Sequence, residues 1–233
     1  MNIRQPVRYG SAYVFGFPFV GKTKLAEAIC PELGYVHLSS GELLRARRTV
    51  DPAFDKLMKE QGQDNGANVN FDQVREVLEA ELKRLASEEP VLDRRRFLFD
   101  GVPRTMAQVD LMKRFILPLV GIGPEEKPGV VFLKLASELC IQRGLGRRAQ
   151  AEAEGVHVRS DDREEVIKAR VQRSRESVED TLNYLIKSEY PVHVIDASKP
   201  FDQVLADVKI VLTNSGSAAL QDPRSLDIRD LCA

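Results

Sequence analysis

Residues 14–29 read VFGFPFVGKTKLAEAI, and within them Gly16-Phe-Pro-Phe-Val-Gly21-Lys22-Thr23 satisfies G-x-x-x-x-G-K-[ST]. No other feature constrains the fold as strongly. A loop of this length wraps a phosphate group, so that successive backbone N–H groups point inward at its oxygens. The helix opening near Lys22 adds its positive N-terminus. Lys22 supplies a full charge to the β- and γ-phosphates, and Thr23 offers its hydroxyl to Mg2+. Such a loop needs a strand before it and a helix after it. Tyr13–Gly16 is β-rich, and Leu25, Ala28 and Ile29 recur at helical spacing, so the context fits. With glycine near 7% of average sequence, a chance match in a chain this long has odds on the order of 1%. The competing reading, an ordinary βα turn with a solvated lysine, is disfavoured by that context. The wrap uses backbone, so the intervening residues need not be glycine. Phe17 and Phe19 are expected to point away from the phosphate and pack outward.

The remaining chain alternates strand and helix. Strands are expected at Tyr35–Leu38, Arg96–Asp100, Gly129–Leu135 and Val192–Asp196. GVVFLKL is nearly continuous in apolar character, as a parallel strand covered on both faces should be. Helices are expected over 41–60, weakened at Asp51-Pro52, and over Phe71–Ala86, Thr105–Phe115, 136–148, Asp162–Lys187 and Phe201–Leu212. Gln61–Asn70 reads as a polar loop. This alternation implies an α/β fold with a parallel, doubly wound sheet. Beyond Thr213 the chain is polar and turn-rich, and a mobile tail over 213–233 is expected.

An anionic ligand needs positive charge from somewhere, and the chain as a whole has none to spare. Its 233 residues carry 34 Lys and Arg against 35 Asp and Glu, a net charge of −1. That balance argues against a general nucleic-acid or membrane-surface binder, so the positive charge must be local. Cys30, Cys140 and Cys232 are widely spaced and odd in number, which excludes a disulfide framework or zinc ribbon and fits a reducing, cytoplasmic setting. No apolar run approaches the roughly 20 residues of a membrane span. MNIRQPVRYG carries charge without an apolar stretch behind it, so no secretory leader is expected.

Three further segments narrow the reading: Tyr35-Val-His-Leu-Ser-Ser-Gly-Glu-Leu-Leu-Arg45, Phe97-Leu-Phe-Asp-Gly-Val-Pro-Arg-Thr-Met-Ala-Gln108, and Cys140-Ile-Gln-Arg-Gly-Leu-Gly-Arg147 through Arg159-Ser-Asp-Asp162 to Lys168-Ala-Arg170. With the loop, they resemble in order the pattern of the adenylate kinase branch of the nucleoside monophosphate kinases, over about residues 12–212. The resemblance implies a P-loop NTPase-type three-layer α/β/α fold with a parallel five-stranded sheet. It implies a single kinase domain over 1–212, with a helical monophosphate-binding insertion at about 39–70 and a short lid at about 147–159. It also implies reversible phosphoryl transfer from Mg-ATP to a nucleoside monophosphate, by a monomer. The lid has no cysteine, so it holds no zinc.

Carried over by position, the resemblance assigns roles. Gly16, Gly21, Lys22 and Thr23 would hold the donor phosphates, and Asp100 would reach Mg2+ through water. Arg45 and Arg104 would grip the acceptor phosphate. Ser40, the carbonyl of Val69, Gly101 and Gln108 would surround the acceptor base. Arg143 would stack on the donor adenine. Arg147, Arg159 and Arg170 would close over the transferring group, with Asp161 and Asp162 orienting them. The set makes physical sense, because phosphoryl transfer needs aligned phosphates and neutralised charge rather than a special nucleophile. Arginine's fork suits two phosphate oxygens at once, and a closing lid keeps water out.

Plainer roles stand beside these. Thr105-Met-Ala-Gln108 and Ser39-Ser-Gly-Glu42 are capping boxes, and Asp161 and Asp162 suit the start of the long helix. His37 and His157 read as incidental. The chain departs from the family in having Phe19 where glycine is usual, Thr23-Lys24 for Gly-Thr, Val102 for Phe, and Asn70 where proline is common. Gln108 presents both a donor and an acceptor to an adenine edge, and Thr105 stands where UMP- and CMP-specific relatives have Asn, so AMP is the expected acceptor. The alternatives are a UMP/CMP-type enzyme, another small-molecule P-loop kinase, or a non-catalytic nucleotide-binding paralogue.

Overall fold

A computed structural model describes residues 7–65, 67, 69–88, 96–156 and 162–213. Strand β1 (Ser11–Gly16) leads through the glycine turn into α1 (Lys22–Leu33). β2 (Val36–Ser39) is followed by α2 (Ser40–Val50), α3 (Pro52–Glu60) and α4 (Phe71–Glu88) before β3 (Phe97–Asp100). Then come α5 (Met106–Leu111), β4 (Gly129–Lys134), α6 (Ser137–Ala153), α7 (Glu164–Lys187), β5 (Val192–Asp196) and α8 (Phe201–Thr213). The five strands pair in parallel in the order β2-β3-β1-β4-β5. Helices on both faces complete the expected three-layer α/β/α arrangement. Every residue of β1 is buried, as are the first five of β4, which is why both sequences read as apolar runs rather than alternations.

Strand register, more than packing, decides where a ligand can sit. Val14 and Ser39 both pair with Asp100 across neighbouring strands. The carboxyl ends of β2 and β3 therefore finish level at Ser39 and Asp100, and β1 runs two residues further, to Gly16, at the same edge of the sheet. In open parallel sheets, ligand crevices form outside the carboxyl ends of the strands.

Several elements differ from the sequence expectation. The helix expected over 41–60 is two helices, because Asp51 leaves helical geometry and its carboxylate accepts from the Phe54 N–H at 3.0 Å, starting α3 with Pro52 in its first turn. The helix expected over Thr105–Phe115 begins with Thr105 as cap and passes after Leu111 into a π-helical turn over Met112–Ile116. The helix expected to stop near 148 continues to Ala153, absorbing the first half of the segment read as the lid. Arg148 donates to Glu152 and Gln150 to Glu154, both at 2.8 Å, so alanine propensity and i,i+4 pairs carry the helix on. Arg159, Asp161 and His157 lie outside the described residues, as does 214–233 of the expected tail. No helix among the described residues is long and apolar enough to cross a membrane.

Candidate active site

At the carboxyl edge of the sheet lies a cavity of about 460 Å3, lined by the glycine loop, the ends of β1–β3 and side chains of α2, α6 and α7. The loop bends through backbone that suits glycine at two points, Gly16 at φ 143° and Gly21 at φ 107°. Gly16 also lacks room for a side chain, because a Cβ would stand 2.8 Å from the Leu133 carbonyl oxygen. Lys22, in the first turn of α1, folds back over the loop. Its Nζ donates to the carbonyls of Gly16 at 3.0 Å and Phe17 at 2.7 Å. Burial pushes its pKa down to about 8; Asp100 opposes that shift, while Arg104 and Arg170 reinforce it.

Thr23 donates its hydroxyl to Asp100 Oδ2 at 2.6 Å. Asp100 is buried, which raises its pKa, but His37, Lys22 and the Thr23 hydroxyl together outweigh burial and hold the carboxyl below its ordinary range. His37, read from sequence as incidental, places Nε2 3.6 Å from the same carboxylate oxygen. Two hard oxygen donors of this kind fit Mg2+, which takes one or two protein oxygens and completes its shell with phosphates and water. No cluster of three or more His, Cys, Asp or Glu side chains that could hold a metal ion occurs among the described residues.

The arginines converge. Arg45, Arg104, Arg143, Arg147 and Arg170 all line this cavity, joined by Arg173. With Lys22 and Lys24 they face only Glu27, Glu42 and Asp100 among the lining carboxylates. A chain of net charge −1 thus concentrates positive charge in one place. Arg45 reaches in from α2 past Gly41, where a Cβ would approach its Nη1 to 3.2 Å. Arg104 donates from Nε to the Gly101 carbonyl at 2.7 Å, and its own carbonyl accepts from Ser177 of α7 at 2.6 Å. Arg147 pairs with the buried Asp162. Arg143 donates to the carbonyls of Val20 at 2.9 Å and Ala197 at 2.8 Å. With both terminal nitrogens engaged, the planar face of that guanidinium is what it has left for stacking.

The residues expected around the acceptor base are less open. Ser40 is buried, and its Oγ would lie 2.8 Å from a Cβ on Gly101, which itself sits at φ 79°. Gln108 is buried, and its Oε1 accepts from the Arg104 N–H at 2.7 Å while its own N–H donates to Thr105 Oγ1 at 3.2 Å. The capping role is therefore present in the structure. Val69 is half-buried and packs against the core, outside the cavity lining, where Ala67 stands instead. Phe17 does not pack outward: it is fully buried beneath the loop. Phe19 is half-buried, with the guanidinium groups of Arg147 and Arg170 over its ring.

Sequence reading missed Arg173, Ser174 and Ser177, which line the cavity from α7. With Arg170 they recur at spacings of three and four, a polar stripe on one helical face that the sequence does display.

The family model for adenylate kinase matches residues 14–190. The chain belongs to the adenylate kinase family. It is by that membership a nucleoside monophosphate kinase phosphotransferase. Among similar proteins, the UMP-CMP kinase of Danio rerio is 30% identical over 204 residues, covering 86% of this chain and 95% of that one. The UMP-CMP kinase of Rattus norvegicus is 29% identical, covering 88% and 97%. The adenylate kinase of Thermus thermophilus is 31% identical over 207 residues, covering 87% and 97%.

Proposed function

We propose that the protein transfers the terminal phosphoryl group of Mg-ATP reversibly to AMP, giving two ADP. The observation that carries this reading is the convergence of Lys22, Arg45, Arg104, Arg147 and Arg170 on one cavity beside the Thr23–Asp100 pair. Two sets of phosphates brought together need more positive charge than one glycine loop supplies. The loop and Lys22 hold the donor phosphates. Arg45 and Arg104 hold the acceptor phosphate from the opposite side. Arg147 and Arg170, with Arg159, neutralise the charge that spreads over the equatorial oxygens as transfer proceeds. Thr23 and Asp100 would hold Mg2+, which supplies neutralising charge between the donor phosphates when bound. Arg143 offers its face to the donor base. Gly101 lines the cavity on the side assigned to the acceptor base, with Ser40 and Gln108 buried next to it and Val69 set back from the lining, and the segment around 147–159 would close the site against water.

A second reading, UMP or CMP as acceptor, is favoured by the names of similar proteins such as those of Danio rerio and Rattus norvegicus. Gln108 supports AMP through its amide N–H donors alone, since its Oε1 already accepts from the Arg104 N–H. ADP formation from Mg-ATP with AMP, UMP, CMP and GMP, each over a full concentration range, separates the two. The highest kcat/KM is expected with AMP. A clearly higher value with UMP or CMP would replace this assignment with the second.

A further inference from the structure

Phe19 sits in the glycine loop at φ 65°, a conformation that glycine adopts freely and L side chains rarely do. Strained backbone of this kind persists only where surrounding contacts hold it, and it clusters at functional sites. Here the contacts are specific. The ring lies against Gly144 of α6, where a Cβ would come within 3.2 Å of two ring carbons. The Arg147 guanidinium stands over the ring at 4.9 Å from its centroid and that of Arg170 at 5.1 Å. Both are cation–π distances. Arg147 comes from α6 and Arg170 from α7, and both line the cavity with Phe19.

Two guanidinium groups held close together repel each other and compete for the same water. An aromatic ring contacting both attracts each without adding charge, and so fixes two long side chains from different helices. We infer that Phe19 is a positioning residue whose ring braces Arg147 and Arg170 over the phosphate loop, so that both are aligned before phosphates arrive. Donors oriented in advance need no reorganisation when charge develops. Glycine at this position could supply the turn but not the brace, which accounts for an aromatic side chain at a strained φ. The inference rests on the phosphoryl-transfer reading for what the two arginines do, but the brace itself is testable through ATP binding alone.

Phe19→Leu keeps an apolar side chain at the same φ and removes the π face; Phe19→Tyr keeps the face. Wild type and both variants are compared in steady-state transfer and in calorimetric binding of ATP and of adenosine, which lacks phosphates. Phe19→Leu is expected to lower kcat/KM for ATP about five- to thirtyfold, as two cation–π contacts would, and to weaken ATP binding several-fold. Phe19→Tyr should recover most of both losses, and adenosine should bind all three alike. The brace is refuted if Phe19→Leu stays within twofold of wild type in rate and ATP affinity. It is also refuted if Leu and Tyr impair equally, or if adenosine affinity falls in parallel with that of ATP. If wild type phosphorylates no monophosphate, the kinase reading fails while ATP calorimetry still decides the brace.

Discussion

Replacing Lys22 with methionine should separate function from stability, because the fold and the reaction make opposite demands on its charge. The Nζ group is drawn out of water beside Arg104 and Arg170, and its pKa falls from the ordinary 10.5 to about 8. A lysine whose folded pKa lies below its unfolded value loses stability while charged. The penalty is complete below pH 8 and vanishes as pH rises towards 10.5. The full shift would correspond to about 3 kcal/mol. The side chain is only half-buried, so solvent reduces that to roughly 1–3 kcal/mol. Lys22→Met removes the penalty but leaves the carbonyls of Gly16 and Phe17 without their donor, at about 1 kcal/mol each. The two effects nearly cancel, so the melting temperature at pH 7 should stay within about 4 °C of wild type. Activity should not. A unit charge about 4 Å from a phosphate oxygen contributes about 4 kcal/mol at an effective dielectric constant near 20, or roughly three powers of ten in kcat/KM. A coupled ADP assay and a thermal melt on the same preparation measure both quantities. Activity within tenfold of wild type would refute the placement of the donor phosphates. A melting temperature more than about 10 °C lower would refute the reasoning on stability.

The same geometry sets further outcomes. kcat/KM for ATP should fall as pH rises through about 8, where Lys22 of the free protein loses its proton; a profile flat to pH 9.5 would contradict this. Arg104→Lys keeps the charge and loses the fork, so KM for the monophosphate should rise about tenfold or more while KM for ATP changes little; equal rises in both would move Arg104 out of the acceptor site. Gly16→Ala forces a Cβ to 2.8 Å from the Leu133 carbonyl at φ 143°, and should lower stability by about 2–4 kcal/mol; an unchanged melting temperature would show that the loop adjusts freely.

Much of the fold and the site was legible in the sequence because two periodicities and one turn carry strong physical meaning. The apolar run Gly129–Leu135 announces a strand covered on both faces, observed as Gly129–Lys134, and Gly16-x4-Gly21-Lys22-Thr23 announces the glycine turn between strand and helix beside it. Breaks that depend on a single residue were less clear. Asp51 was visible only as a weakness in one helix until its capping bond showed two. The continuation of α6 through Ala153 was masked by polarity, since i,i+4 pairs stabilise a solvated helix without any apolar stripe. Directions of side chains were hardest. Nothing in the sequence tells that Phe17 turns into the core and Phe19 towards two arginines, because those orientations come from the loop's dihedral angles and from space left at Gly144. The two carbonyls gripped by Arg143 are likewise backbone atoms, 54 and 123 residues away in the chain.

The central claim is that one cavity holds the phosphates of two nucleotides and passes a phosphoryl group directly between them. Its most direct test is a product balance in which the protein is incubated with Mg-ATP, with and without AMP, and ATP, ADP, AMP and inorganic phosphate are separated and quantified. With AMP present, two ADP should form for each ATP consumed, with little free phosphate released in either mixture. Release of free phosphate at a rate comparable to ADP formation, or ATP left intact beside every monophosphate offered, would contradict the claim.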